Sequence, residues 1–352
     1  MKKMKYLLYL FLFCSARLHG QQDATAFIHQ QFEKGHFNGA VLIADQHQTI
    51  LDIQKGYANF QFSVPVTHHT KFPVASVTKL FTTIALLQLY EKQLLQFSDP
   101  VGKYIDYLND SCKNVTISEL LLHYSPLENE PIRAYTSKFK LDDYIKTFVK
   151  NSTRGNRKFN YNNVDYVLLS KVIEKITRLS YAKAIDSLIL QPLQLTNTGF
   201  VEEGEVIAQL AYGYHNYTFG TGSKTDKLYN DRRYLSNYYG AGQIYSTTYD
   251  LHRLLLAIKN NQLITEKTKQ LYMVKSQTND YIDWLKGKPT YGFFYDDKHL
   301  QRALLRRSGS IDGFNSEIII SADFSYWVII LCNTDTGDLK LIGKRLVETF
   351  NK

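Results

Sequence analysis

Short apolar, β-rich runs stand near both ends of the chain, and helical periodicity fills the space between. Gly39-Ala40-Val41-Leu42-Ile43-Ala44 and Thr49-Ile50-Leu51-Asp52-Ile53 read as strands joined by the polar turn Asp45-Gln46-His47-Gln48. Glu317 to Ser321 and Tyr326 to Cys332 read as a second hairpin across Ala322-Asp323-Phe324-Ser325. Residues 24–35 and Leu339 to Phe350 are amphipathic at helical spacing. Between the hairpins, Ile117 to His123, Leu141 to Lys150, Val164 to Thr177, Tyr181 to Leu190 and Asp250 to Lys259 carry the same period. Leu80 to Leu95 lacks glycine and proline and is apolar on most faces, which predicts a buried helix. Pro73 suits the first turn of that helix. Residues 212–239, rich in Gly, Asn, Ser and Tyr, read as long loops.

Strands at both ends with helices between them predict an α/β protein of the α+β type: an antiparallel sheet flanked by helices, with a mainly helical region inserted. The expected division is a leader at 1–20, a sheet region at 21–70 with 240–352, and a helical region at 71–239, the last two forming one domain. The leader follows from Lys2, Lys3 and Lys5 ahead of the apolar stretch Tyr6 to Cys14, with cleavage after Ala16 or Gly20. That stretch falls far short of the roughly 20 residues needed to span a bilayer. An exported, periplasmic or secreted protein without a stable membrane span is expected. A buried N-terminal helix is the alternative, and Cys14 as a lipid-attachment site a lesser one.

Composition narrows the classes. The chain has 352 residues, 44% apolar and 21% charged, with a formal charge of +9. Its first twenty residues hold four basic residues and no acids, leaving 38 basic against 33 acidic residues beyond them. That mild excess, with no Lys/Arg run, argues against nucleic acid as a partner. Cys112 and Cys332 can join in an exported protein, though Cys332 ends an apolar run and suits a core. No Cys/His cluster has zinc spacing.

Three stretches carry candidate chemistry. Ser-x-x-Lys occurs at Ser76/Lys79, Ser137/Lys140 and Ser180/Lys183, and only the first opens a core-like helix. One turn apart, Ser76 and Lys79 share a helix face, and a hydroxyl beside an amine is a way to build a nucleophile. The alternative for each pair is a capping serine and a solvated lysine. Tyr161-Asn162-Asn163 precedes a helix: a nearby ammonium eases loss of the phenol proton, and Asn163 can hold both lysine and substrate. The plain alternative is a packed tyrosine and a capping asparagine. Arg307-Ser308-Gly309-Ser310 leads into Ile311 to Phe314. There Gly309 permits close approach of a substrate, Arg307 can hold a carboxylate, and the Ser310 N–H can serve an oxyanion hole.

With their order and flanking text, these stretches resemble the class C β-lactamase-like serine hydrolases of the serine β-lactamase and penicillin-binding-protein superfamily. The similarity runs from about Phe37 to Asn333 and includes Gly56-Tyr57-Ala58-Asn59, Leu120 to Ser125, Gln191-Pro192-Leu193 and Gly240 to Thr247. It implies Ser76 as acylated nucleophile, Lys79 and Tyr161 as its proton network, Asn163 as substrate-orienting residue, and an oxyanion hole from the N–H groups of Ser76 and Ser310. It implies a small-molecule or peptidoglycan-derived substrate (an ester, a D-amino-acid peptide or a β-lactam) and no metal or organic cofactor. Two departures stand out. Arg307 replaces the usual lysine or histidine and cannot shuttle a proton, which favours a DD-peptidase or esterase over a dedicated β-lactamase. It also motivates a rival reading, a non-catalytic protein that binds cell-wall fragments or penicillin. Pro126 replaces a usual glycine in Tyr124-Ser125-Pro126-Leu127, which alters the expected loop. The aromatic loop Tyr229 to Tyr239 either borders the cleft or packs onto the body.

Overall fold

The computed structural model describes residues 20–151, 157–216, 221–230, 233–298, 302–311 and 313–350. All of the expected leader except Gly20 lies outside them. The main sheet has seven antiparallel strands: β1 (Gly39–Asp45), β2 (Thr49–Lys55), β3 (Lys288–Pro289), β4 (Phe294–Asp296), β5 (Leu304–Ile311), β6 (Phe314–Ser321) and β7 (Tyr326–Cys332), ordered β2-β1-β7-β6-β5-β4-β3. Chain ends meet in the middle of it. β1 pairs with β7 from Gly39↔Cys332 to Asp45↔Tyr326, joining the two hairpins expected from the sequence.

Strands β1, β6 and β7 read as near-continuous apolar runs because both faces of the sheet are covered there. Ala40, Leu42 and Ala44 of β1 and Trp327, Ile329 and Leu331 of β7 enter a large core shared with the helices. Val41, Ile43, Val328, Ile330 and Cys332 enter a smaller core on the opposite face. That second core is roofed by α1, a helix over residues 20–33, through Ala24 and Ile28, and by the C-terminal helix Leu339–Phe350 through Ile342, Leu346 and Val347. Full burial of each such aliphatic side chain contributes roughly 1.5–3 kcal/mol. The disulfide allowed by the sequence does not form. Cys112 belongs to the large core and Cys332 to the small one, and both are buried free thiols.

Between the two ends lie α2 (Thr78–Glu91), α3 (Ile117–Leu122), α4 (Leu141–Phe148), α5 (Asn163–Thr177), α6 (Tyr181–Ile185) and, before β3, α7 (Thr248–Lys259); the C-terminal helix is α8. Every residue of α2 from Thr78 to Leu87 is buried, as its all-round apolar sequence predicts. Pro73 does not open this helix. Phe72–Pro73 is a short strand paired with Tyr245 and Ser246, and Gly199–Phe200 pairs on the other side of the same small sheet. Proline is tolerated there because the strand is short and at an edge. A single 3-10 turn, Ala75–Val77, then leads into α2. The expected helix Tyr181 to Leu190 changes to a wider π-helical turn at Asp186–Leu190. No described helix is long and apolar enough to cross a membrane.

Candidate active site

Ser76 sits on the turn between the small sheet and α2. The residue before it, Ala75, adopts φ 48°, a left-handed conformation that an alanine holds only under constraint. The constraint comes from both sides. Val74 N–H donates to the Ile244 carbonyl at 2.9 Å, and the Ser316 hydroxyl of β6 donates to the Val74 carbonyl at 2.8 Å.

One turn on, Lys79 is fully buried. Its Nζ donates to Ser76 Oγ (3.0 Å), Asn163 Oδ1 (2.7 Å) and the Ala241 carbonyl (2.9 Å), so all three ammonium protons have acceptors. None of the three is a carboxylate. Burial, assisted by the Arg307 cation and opposed by Tyr161, pushes Lys79 down to about 8. The Nζ also lies over the Tyr161 ring, 5.0 Å from its centroid. Burial resists ionisation of Tyr161, but the Lys79 and Arg307 cations and the neighbouring Ser76 hydroxyl outweigh it and lower the phenol below its ordinary value.

Two asparagines divide the work that the sequence left open. Asn162 is the cap of α5, its side chain accepting from Val164 N–H at 2.9 Å. Asn163, the first residue of α5, turns its carbonyl oxygen to Lys79 and its amide nitrogen to Glu130 Oε1 at 2.7 Å.

Arg306 and Arg307 are neighbours on β5 and so point to opposite faces. Arg306 is buried in ion pairs with Asp296 (3.2 Å) and Glu317 (3.5 Å). Arg307, 2% exposed, reaches the active site instead. Its Nε donates to the Ser76 carbonyl at 2.9 Å and its Nη2 to the Tyr161 hydroxyl at 3.5 Å. The guanidinium is therefore tied to the turn that carries Ser76.

A Cβ at Gly309 would stand 2.5 Å from the Val74 carbonyl oxygen and 2.8 Å from Ser76 N, so the glycine lets the turn that carries Ser76 approach β5. Ser310 is exposed beyond it. β4 pairs with Leu304–Arg306, and among the described residues no strand pairs with the edge of β5 from Arg307 onward on that side.

Three contributors escaped the sequence reading. Glu130 is one. Another is His123, whose ring lies 4.3 Å from that of Tyr161. Its carbonyl accepts from Asn160 N–H (2.8 Å) and its Nδ1 from Asn162 N–H (3.2 Å), clamping the Tyr161 loop on both sides. The third, Asp165, meets the same Nδ1 at 3.0 Å. Burial raises Asp165 well above the carboxylate range, and burial with the Lys79 and Arg307 cations lowers His123 well below its own. Both shifts disfavour the charged forms of these two side chains. The detectable signal was a lone acid within the buried face of α5. His123 also takes the left-handed conformation (φ 62°) that ends α3, so Pro126 is not asked to adopt it.

The other Ser-x-x-Lys pairs follow the plain reading. Ser180 caps α6, and Lys140 precedes α4 as an exposed residue. Tyr238 stacks on Tyr135 at 4.1 Å and Tyr239 donates its hydroxyl to the Phe139 carbonyl, so these tyrosines pack the loop onto the body. Asp231 and Arg232 of that loop lie outside the described residues. Among the described residues no cluster of His, Cys, Asp or Glu suits a metal ion.

The family model described as Beta-lactamase matches residues 24–348. The teichoic acid D-alanine hydrolase of Staphylococcus aureus is 30% identical over 293 residues, covering 78% of this chain and 71% of that protein. FmtA from Staphylococcus aureus superposes with a TM-score of 0.78 at 26% identity, over 94% of this chain and 89% of that one. A D-amino acid amidase from Ochrobactrum anthropi SV3 shares the fold, with a TM-score of 0.78 at 19% identity over 96% and 98% of the two chains. With the family model spanning nearly the whole described chain, this protein belongs to the Beta-lactamase family.

Proposed function

We propose that the chain is an exported serine hydrolase that cleaves D-alanyl esters or D-amino-acid amides through a Ser76 acyl-enzyme, its sheet and helical regions forming one catalytic domain. The observation that carries this reading is the buried Lys79 ammonium, bonded at once to Ser76 Oγ and Asn163 Oδ1 under the Tyr161 ring. Ser76 Oγ attacks the substrate carbonyl, and its proton passes into the Lys79–Tyr161 pair. The N–H groups of Ser76 and Ser310 receive the oxyanion. Collapse of the tetrahedral intermediate returns the proton to the leaving group, and water then cleaves the serine ester. Asn163 orients substrate and lysine. Arg307 holds the Ser76 carbonyl and lowers the proton affinity of the pair. The D-alanine hydrolase relative supports the substrate class and the export.

The direct test is intact-protein mass spectrometry after incubation with a p-nitrophenyl ester and, separately, with a fluorescent penicillin. An adduct mapping to Ser76 is expected from the ester. Absence of both adduct and Ser76-dependent turnover overturns the hydrolase reading.

The pH profile follows from the pair. Phenol with amine and phenolate with ammonium contain the same number of protons, so the active state forms when the doubly protonated pair loses one. kcat/KM is expected to rise as pH passes through about 8. Arg307 lowers both Lys79 and Tyr161. Arg307→Gln is therefore expected to move the rising limb to higher pH, and an unmoved or lowered limb counts against this electrostatic role. His123→Ala, which frees the Tyr161 loop, is expected to lower kcat by about ten- to a hundredfold with little change in KM.

A further inference from the structure

The active site contains a carboxylate that the acyl-transfer steps do not use. Glu130 is half-buried, and its Oε1 accepts the Asn163 side-chain amide at 2.7 Å. From there two further hydrogen bonds, Asn163 to Lys79 (2.7 Å) and Lys79 to Ser76 Oγ (3.0 Å), reach the nucleophile. The segment bearing it is built into the site. Asn162 Nδ2 donates to the Leu127 and Glu128 carbonyls, both at 3.1 Å, and Asn129 Nδ2 to the Tyr161 carbonyl at 3.3 Å.

We propose that Glu130 selects acyl donors with a free α-ammonium group and disfavours those whose amine is acylated. This rests on the hydrolase reading above, in which Asn163 orients the substrate, and adds that it does so at the α-substituent. An N-acyl substituent presents a carbonyl, which needs a donor. Glu130 takes one of the two N–H donors of Asn163 Nδ2 and sets beside it a carboxylate, an acceptor with negative charge. That is the complement of an ammonium and a mismatch for an amide carbonyl. Arg307 strengthens the inference from the other side, because the cation that would attract an anionic substrate is buried against Ser76 and Tyr161.

The test compares kcat/KM of the full chain for D-alanine methyl ester and N-acetyl-D-alanine methyl ester at pH 6.5, where the α-amine is largely protonated. Wild type is expected to prefer the free-ammonium ester by about tenfold or more. Glu130→Gln is expected to collapse that ratio toward one, and Glu130→Lys to take it below one, with folding verified by thermal melting. A wild-type ratio at or below one overturns the assignment without relying on any variant. So does a Glu130→Gln variant that slows both esters by the same factor, which is the signature of mere support for Asn163. Cleavage of neither ester, with Ser76 still labelled by a fluorophosphonate, overturns the substrate class and leaves the hydrolase standing. Failure of Ser76 to label as well removes the hydrolase reading, and this one with it.

Discussion

Ser76→Ala and Lys79→Met are each expected to reduce ester turnover by at least about a thousandfold, and the double variant to be no slower than the worse of the two. In the proposed mechanism, Ser76→Ala deletes the atom that forms the acyl bond. Lys79→Met deletes the Nζ that holds Oγ at 3.0 Å, anchors Asn163 and lowers Tyr161. Since both changes disable the same step, their costs do not add. Steady-state kinetics on the three variants decides this, and additive losses would mean that the lysine acts elsewhere.

Lys79 also leaves a mark on stability. Its proton affinity is depressed from the ordinary value of 10.5 to about 8, so between those values the unfolded chain binds more protons than the folded one. Stability therefore rises with pH across that window: the cost of burying the charge is present in full below about 8 and is relieved as pH climbs toward 10.5. Relative to Lys79→Met, wild type is expected to gain up to about 3 kcal/mol over that range. Paired melting curves at pH 7.5 and 10 give the sign, and an unchanged difference removes the depressed lysine from the account.

What the sequence showed of this site follows from how local each signal is. Ser76 and Lys79 stand out because three residues along a helix is one turn, and the apolar run after them marks the helix as core. Strands β1, β6 and β7 stand out because each buries two faces, while the edge strand β2 shows by its alternation. The contacts that complete the site cross long separations. His123 and Asp165 are 42 residues apart, Glu130 and Asn163 are 33 apart, and Arg307 meets Ser76 across 231. Neither composition nor periodicity encodes such meetings. Pro73 was misplaced for the same reason: its partner strand near Tyr245 is distant, and the local preference of proline for a helix start yielded to that pairing. With Arg306 and Arg307, strand alternation does predict opposite faces, yet which face holds the active site becomes visible only once β5 is packed against the nucleophile turn.

Gly309→Ala is expected to lower activity by about a hundredfold or more and to destabilise the fold by about 1–3 kcal/mol, although it adds only one methyl group. The added carbon would meet the Val74 carbonyl oxygen at 2.5 Å, Ser316 Oγ at 2.7 Å and Ser76 N at 2.8 Å. Two of these are backbone atoms that cannot swing aside. Either β5 or the turn must retreat, and each is held. β5 is paired with β6 along its whole length from Leu304↔Ser321 to Ile311↔Phe314. The turn is fixed by Val74 to Ile244, by Ser316 to Val74 and by Arg307 to Ser76, with Ala75 already in a strained conformation. Retreat of the turn carries Ser76 Oγ away from Lys79 and Ser76 N away from Ser310, so alignment and the proposed oxyanion binding fail together. The alternative, in which Gly309 only makes room for substrate, gives a different result: a raised KM, with kcat and the melting temperature unchanged. Measuring all three on the one variant separates a glycine that seats the nucleophile from a glycine that admits the substrate.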